Sequence, residues 1–222
     1  MMTEKIGKIF FISGPSGVGK GTLINALRER HGDWVFPPSC TTRDPRPGEI
    51  DGETYYFISR EEFRKRIAAG DFLEYAEVHG GNLYGTLQQK LIEPMQNGKI
   101  VIREFDVQGY TQAVERLPRE YYESIFLYPA DGVEELVRRI KERAPIADEE
   151  VERRLESMRK ELDKAELYDH WVYSKAGEID DMVVGAEAVI LKSSGSLHLD
   201  INKKKSYDFC HAELVSASGI II

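Results

Sequence analysis

The sequence predicts an α/β fold: a three-layer core with a central parallel sheet and helices on both faces. Three observations lead to this prediction. Short apolar strands alternate with amphipathic helices along most of the 222 residues. A glycine loop that ends in lysine follows the first strand. Two stretches, one rich in proline and arginine and the other in arginine alone, interrupt the alternation. We therefore expect one core that carries two inserted parts.

Composition narrows the functional class. With 41% hydrophobic and 31% charged residues, the chain is an ordinary globular protein, long enough for one well-cored domain. Its net charge of -8 gives no reason to expect a nucleic acid or an anionic membrane as partner, and no obligatory protein partner is evident. Cys40 and Cys210 are far apart and lack metal-ligand spacing. No apolar run is long enough to span a bilayer, so we predict a cytoplasmic protein.

The loop after the predicted first strand (8–13) matches Gly14-x-x-x-x-Gly19-Lys20, the spacing of phosphate-binding loops. Glycines let consecutive backbone N–H groups turn toward an anion, and the following helix adds its positive N-terminal end. The alternative is a turn that merely needs glycines, but strand, spacing, lysine and helix all coincide here. We therefore expect the loop to bind the phosphates of a nucleotide, with these members: Gly14, Pro15, Ser16, Gly17, Val18, Gly19, Lys20, Gly21 and Thr22.

The position after Lys20 departs from the usual pattern. Gly21 stands where serine or threonine usually meets magnesium, and the hydroxyl comes one residue later, at Thr22.

Hydrophobic periodicity predicts the elements of the first half. We expect helices at 21–30, 60–69 and 87–95, strands at 55–58 and 72–78, and a turn-rich stretch at 80–86. The segment 36–51 contains four prolines, which make a long helix there unfavourable. It also carries Arg43 and Arg46 beside the hydroxyls of Ser39, Thr41 and Thr42. Such a group can bind a second phosphate, although composition supports an exposed polar loop equally well.

The next predicted strand, 99–105, leads into Glu104 and Asp106. A carboxylate at the carboxyl end of a parallel strand, beside a phosphate loop, is where magnesium and substrate are expected. Alternatively Asp106 caps the helix that follows, and both roles are compatible.

The remaining predicted elements are a strand at 124–128, helices at 132–143 and 148–167, a strand at 171–173 and a helix at 179–191. The two middle helices form a hairpin whose arginines, by themselves, indicate only a solvated charged face. These arginines are Arg138, Arg139, Arg143, Arg153 and Arg154. Residues 193–222 show neither helical nor strand periodicity, so we expect a tail that is mobile at least in part.

Several segments, taken in order, resemble the signature of the guanylate kinase family. They are Ser39-Cys40-Thr41-Thr42-Arg43-Asp44-Pro45-Arg46-Pro47-Gly48-Glu49, Tyr55, Phe72-Leu73-Glu74, Tyr84-Gly85-Thr86 and Phe105-Asp106-Val107-Gln108-Gly109. The resemblance extends from about residue 5 to about residue 190, and the first of these segments is specific to the family among P-loop proteins.

The resemblance implies an enzyme that uses ATP, with Mg²⁺, to phosphorylate GMP or dGMP in purine nucleotide metabolism. It also implies a division of the chain. The nucleotide-binding core would comprise 1–36, 87–130 and 160–192; 37–86 would be a GMP-binding subdomain, 131–159 a helical lid, and 193–222 the tail.

The resemblance further implies the roles of single residues. Ser39, Arg43, Arg46, Tyr55 and Tyr84 would hold the GMP phosphate, with Glu49 also in the GMP site. Glu74 would accept the two N–H donors of guanine while Thr86 donates to its O6. Asp106 would help place the guanosine. The residues expected to act in phosphoryl transfer are Lys20, Arg43, Arg139, Arg143 and Arg154, and Thr22 and Glu104 would meet the metal, through water.

The chain departs from the family pattern at several positions. An apolar residue is common where Arg103 stands, aspartate is more frequent than Glu104, and the loop 79–82 has an extra residue. Ala144-Pro145 replaces a glycine in the lid, and Tyr173-Ser174-Lys175 replaces Asn-Asp-Asp. Two alternatives stay open: a kinase for another small phosphorylated acceptor, and a guanylate-kinase-like binding module without catalysis.

Overall fold

A computed structural model describes residues 6–78, 80–143 and 148–195. Strands and helices are interspersed along these residues, with short 3₁₀ turns at Arg119–Tyr121 and Ala165–Leu167. In chain order the elements are β1 (Lys8–Ser13), α1 (Lys20–Arg30), β2 (Ser39–Thr41), β3 (Tyr55–Phe57), α2 (Arg60–Ala69), β4 (Phe72–Glu77), β5 (Leu83–Leu87), α3 (Gln89–Gln96), β6 (Ile100–Glu104), α4 (Val107–Arg116), β7 (Tyr122–Pro129), α5 (Gly132–Arg143), α6 (Asp148–Leu162), β8 (His170–Ser174) and α7 (Ile179–Ser193).

The central sheet has the order β6-β1-β7-β8, and its neighbouring strands are parallel. Strand β1 lies inside the sheet, and its residues Ile9, Phe10, Phe11 and Ile12 are fully buried. A parallel strand that is covered on both faces needs such a continuous apolar run. The prediction of a central parallel sheet is confirmed.

Helices cover both faces of this sheet, which makes three layers. On one face, Phe10 and Ile12 pack in a cluster with Leu23 and Leu27 of α1 and with residues of α7. On the other face, Ile9 and Phe11 belong to a second cluster with residues of α3 and α4. The alternation of side chains along β1 therefore places successive residues in two different cores.

A second sheet, of order β3-β2-β5-β4, is formed within the segment 39–87. Helix α4 of the core contacts its strand β4 through two side chains. Gln112 exchanges two hydrogen bonds with the backbone of Tyr75, at 3.3 and 3.2 Å, and Arg116 Nη1 donates to Phe72 O at 2.6 Å. The second sheet is thus held directly on a helix of the core.

Most predicted elements are confirmed within a residue or two, but two strands of the second sheet, β2 and β5, were not predicted. No strand was predicted at 39–41. Strand β2 is held there by pairing with β3 and β5, which no local pattern reveals. The prediction of a turn-rich stretch at 80–86 is wrong from Leu83 onward, where β5 begins. A Cβ on Gly85 would lie 2.9 Å from Glu74 O, so this glycine serves close strand packing and not a turn.

Three helix limits also differ from the expectation. Residue Leu87 ends β5, so α3 begins at Gln89. Helix α6 ends at Leu162, before the 3₁₀ turn. Helix α7 runs to Ser193, whereas the tail was expected to start there; residues 196–222 lie outside the described part of the chain. Within the described residues, no helix has the length and apolar character that a membrane span requires.

Candidate active site

The phosphate loop joins β1 to α1 and depends on glycine at two positions. Gly14 has φ 148°, and a Cβ there would lie 2.7 Å from Leu127 O of β7. Gly19, with φ 107°, is the residue from which α1 starts. Both backbone angles are costly for any residue with a side chain. The amino group of Lys20 lies back over the loop, where Nζ donates to Gly14 O at 2.6 Å and to Pro15 O at 3.2 Å.

Two buried serines form hydrogen bonds at the loop: one fastens the loop to β8, and the other joins the end of β1 to the residue after β6. Ser174 Oγ, at the end of β8, donates to Val18 O at 2.6 Å. Ser13 Oγ, at the end of β1, donates to Phe105 O at 2.9 Å. Ser174 belongs to the triplet that departs from the family pattern, and the structure gives this residue a supporting place beneath the loop.

A group of charged and aromatic side chains gathers around Arg43, just after β2. Its Nη2 donates to Glu49 Oε1 at 2.8 Å and its Nε to Tyr84 Oη at 3.2 Å, while the Tyr55 ring lies 5.6 Å from its guanidinium carbon. Glu49 also accepts from the backbone N–H of Arg46 at 2.7 Å, and the Arg43 hydrogen bond is the main reason that the pKa of Glu49 is lowered. The structure thus brings together four of the residues predicted for the acceptor phosphate, and Glu49 orients one of the arginines.

Glu74 and Thr86 face each other across β4 and β5. Their Cα atoms are paired in register, and Thr86 Oγ1 donates to Glu74 Oε1 at 2.6 Å. Glu74 is only 9% exposed and Thr86 is fully buried. Burial raises the pKa of Glu74, because a carboxylate loses hydration there; the Thr86 hydrogen bond and the charge of Arg103 oppose this rise, and the charge of Asp106 adds to it. The two residues predicted to bind guanine are therefore hydrogen-bonded to each other.

The two carboxylates after β6 have different surroundings. Glu104 is exposed at the carboxyl end of β6, paired in register with Ile12 of β1, and so lies near the start of the phosphate loop. Asp106 caps α4, since its Oδ1 accepts from Gly109 N at 2.7 Å. Thr22 is exposed in the first turn of α1. Within 6–78, 80–143 and 148–195, no three His, Cys, Asp or Glu residues cluster as a metal site.

Four of the five hairpin arginines, Arg138, Arg139, Arg153 and Arg154, form ion pairs with carboxylates nearby in the sequence. Arg139 Nε donates to Glu135 Oε1 at 3.1 Å, and its Nη2 lies 3.6 Å from Asp131 Oδ2. Hydrogen bonds from Arg138 and Arg139 lower the pKa of Glu135 to about 2. Arg154 Nε donates to Glu150 Oε1 at 2.8 Å. The side chain of Arg143 and the residues 144–147 lie outside the described structure.

Two residues near the site were not given a role from the sequence. Arg103 joins the central sheet to the second sheet by hydrogen bonds to Pro37 and Ser39. Glu161, on α6, has a pKa that burial raises; the Ser157 hydrogen bond and, after it, the charge of Lys20 oppose this rise. The only sequence signal for Arg103 was a charged residue within an apolar strand, and Glu161 gave none.

The structure combines a glycine loop that ends in lysine, a group of side chains around Arg43 and a buried carboxylate. Comparison with known proteins identifies the family to which this combination belongs. The family model for guanylate kinase matches residues 6–191. The chain belongs to the guanylate kinase family. A guanylate kinase of Synechococcus elongatus is 43% identical over 185 residues, which are 83% of this chain and 98% of the relative. One of Clostridium perfringens is 41% identical over 185 residues, 83% of each protein.

A solved guanylate kinase structure shows the same likeness in three dimensions. The crystal structure from Anaplasma phagocytophilum superposes with a TM-score of 0.63 at 30% identity, covering 99% of this chain and 98% of that one. The expectation of a guanylate kinase, and with it of a nucleotide-binding phosphotransferase, is confirmed. The positions that depart from the family pattern do not prevent the shared fold.

Proposed function

We propose that the chain transfers the γ-phosphoryl group of ATP to GMP and dGMP, giving ADP and GDP or dGDP, and that the residues gathered above perform the transfer. The observation that carries this proposal is the buried Glu74–Thr86 pair, which lies in the same sheet as the Arg43 group. A carboxylate buried beside an anion-binding group suits a ligand that offers N–H donors at one end and a phosphate at the other.

Guanine presents two adjacent donors, N1–H and the 2-amino group, beside the acceptor O6. Glu74 in its carboxylate form can accept both donors, and the Thr86 hydroxyl can rotate from Glu74 to donate to O6. Adenine would present an acceptor at N1 to the carboxylate, and leaving buried polar groups unpaired costs about 1–3 kcal/mol each. The pair therefore selects guanine over adenine. Asp106, which acts electrostatically on Glu74, would help place the guanosine.

The acceptor phosphate would be bound by the group around Arg43. The guanidinium of this residue is already oriented by Glu49 and Tyr84, so little side-chain entropy is lost on binding. We assign the phosphate to the following residues: Ser39, Arg43, Arg46, Tyr55 and Tyr84. The segment 37–86 is then the GMP-binding subdomain.

The donor nucleotide would bind at the phosphate loop. Backbone N–H groups of residues 14–22 and the start of α1 would surround the phosphates, and Lys20 would leave the carbonyls of Gly14 and Pro15 to reach the outer ones. Thr22 and Glu104 offer a hydroxyl and a carboxylate, the oxygen donors that Mg²⁺ prefers, and would hold it through water. When bound, Mg²⁺ supplies charge neutralisation of the phosphates.

The lid, 131–159, would complete the site. Arg139 would exchange Glu135, and Arg154 would exchange Glu150, for the phosphates, where Arg143 would join them. Closure of the lid would exclude water from the transfer. No covalent nucleophile is needed, since the acceptor phosphate is itself an anion and positioning with charge neutralisation suffices. The segments 1–36, 87–130 and 160–192 form the nucleotide-binding core in this division.

The test is an assay of ADP release with ATP and Mg²⁺, in which GMP, dGMP, AMP, dTMP and UMP are offered separately. We expect turnover with GMP and dGMP and none above background with the others. Turnover with AMP, dTMP or UMP instead would identify a kinase for another acceptor. Binding of GMP without turnover would identify a binding module, an interpretation that the intact Gly14, Gly17, Gly19 and Lys20 argue against.

A further inference from the structure

Arg103 is an arginine of the central sheet whose guanidinium holds the second sheet. Its Cα is paired with that of Phe11 in β1, so it is rooted among the core strands. Its Nη1 donates to Pro37 O at 2.9 Å, and its Nη2 donates to the Ser39 hydroxyl, where β2 begins. One side chain therefore spans from β6 to the first residue of a strand that belongs to the acceptor-binding sheet.

Placing the Arg103 guanidinium in these surroundings costs free energy. Burial lowers its pKa, and the charges of Glu74 and Glu104 are the largest influences that raise it again. The Phe105 ring lies 5.4 Å from its guanidinium carbon. Its Nε is buried and finds no hydrogen-bond partner among the described residues. An apolar side chain would occupy the strand without these costs, so the fold alone does not account for an arginine here.

We propose that Arg103 is a positioning residue for acceptor recognition: it fixes the Ser39 hydroxyl of the phosphate site and places a positive charge that acts on Glu74. The inference rests on the proposed function, because Ser39 and Glu74 are both assigned to the GMP site. It adds a residue that touches neither the base nor the phosphate and acts through two that do.

The charge on Glu74 decides how it can bind guanine. A carboxylate accepts both N–H donors, whereas a protonated carboxyl would turn an O–H donor toward one of them. The groups that act on Glu74 come from three elements: Thr86 on β5 and Arg103 on β6 lower its pKa, and Asp106 at the start of α4 raises it together with burial. Loss of the Arg103 charge would leave burial and Asp106 opposed only by Thr86, and the pKa of Glu74 would rise further.

The test compares Arg103→Leu and Arg103→Lys with the wild type, measuring kcat and the KM for GMP and for ATP between pH 6 and 9. For Arg103→Leu we expect the KM for GMP to rise about tenfold or more, with the KM for ATP changed less than about twofold. We also expect this rise to be larger at pH 6 than at pH 9, because a higher pH restores the Glu74 carboxylate. Arg103→Lys keeps the charge but not the two-point bond, so its KM for GMP should rise with no added dependence on pH.

The double variant Arg103→Leu/Glu74→Gln is the matched control, since a glutamine in place of Glu74 does not titrate. The additional pH dependence should disappear in that background, which a merely structural effect of Arg103→Leu would not produce. Should Arg103→Leu fail to fold by circular dichroism, Arg103→Gln replaces it with the same expectation. An unchanged KM for GMP, or equal changes in the KM values for GMP and ATP at every pH, would overturn the inference. The proposed function would still hold in that case, provided that the wild type phosphorylates GMP. If the wild type does not phosphorylate GMP at all, the proposed function fails first.

Discussion

Thr86 Oγ1 and Glu74 Oε1 are joined by a 2.6 Å hydrogen bond inside the second sheet, between residues paired in register on adjacent strands. The hydroxyl thus holds one carboxylate oxygen in place before any base arrives. Such preorganisation lowers the entropy lost when a ligand binds. The proposed recognition of the base therefore depends on strand pairing, because a shift of one residue between β4 and β5 would turn one partner to the opposite face of the sheet.

Glu74→Gln should damage recognition of GMP selectively. The amide keeps the shape of the side chain, but its NH₂ group would confront a guanine donor in place of an acceptor. We expect the KM for GMP to rise about 30- to 100-fold, and that for ATP less than about threefold. Steady-state kinetics with each substrate varied in turn measures this. Equal changes in both KM values would remove Glu74 from base recognition.

The same residue should make the stability of the free protein depend on pH. Burial raises the folded-state pKa of Glu74 above its ordinary value of 4.5, so the folded state binds this proton more tightly than the unfolded state does. The resulting stabilisation is complete below 4.5 and is lost as the pH rises through the folded-state value. Glu74→Gln lacks this loss, and we expect it to melt about 2–4 °C above the wild type at pH 8, with a smaller difference near pH 5. A difference in Tm that does not vary with pH would contradict this account.

How well the sequence predicts this site depends on how far apart along the chain the interacting residues lie. The phosphate loop was predicted as it stands, because strand, glycines, lysine and helix lie within 15 consecutive residues, from Lys8 to Thr22. The residues assigned to the acceptor were named from motifs, but their mutual contacts were not predicted. The Arg43–Tyr84 hydrogen bond joins residues 41 positions apart, and periodicity carries no information about such a pair.

The failure to predict β2 as a strand has the same cause. Strand β2 has three residues and follows two prolines, so its local pattern is weak, and its pairing with β3 and β5 supplies the hydrogen bonds. Arg103 was noted only as an unusual residue in an apolar run. Its bond to Ser39, 64 positions away, could be seen only once the two sheets were placed together.

Lys20→Ala tests the phosphate loop. The lysine's charge would stabilise the charge spread over the transferred group, so its removal should lower kcat by about 10²- to 10³-fold. The fold should survive, because Lys20 is only partly buried and its two bonds go to carbonyls of the loop itself. Single-turnover kinetics with saturating ATP and GMP measures the transfer step, and the melting temperature serves as the control. Near-normal turnover would exclude Lys20 from the transfer.

Arg154 and its neighbour Arg153 provide a matched pair for testing the lid. Both donate hydrogen bonds to Glu150, so both replacements remove a similar contact from α6. Only Arg154 is assigned to the phosphates; the Arg153 side chain is 63% exposed, against 40% for Arg154. We expect Arg154→Gln to lower kcat about 10²-fold or more, and Arg153→Gln to change it less than about threefold. Comparable losses in both variants would show that the helix and its ion pairs, not a phosphate contact of Arg154, govern the rate.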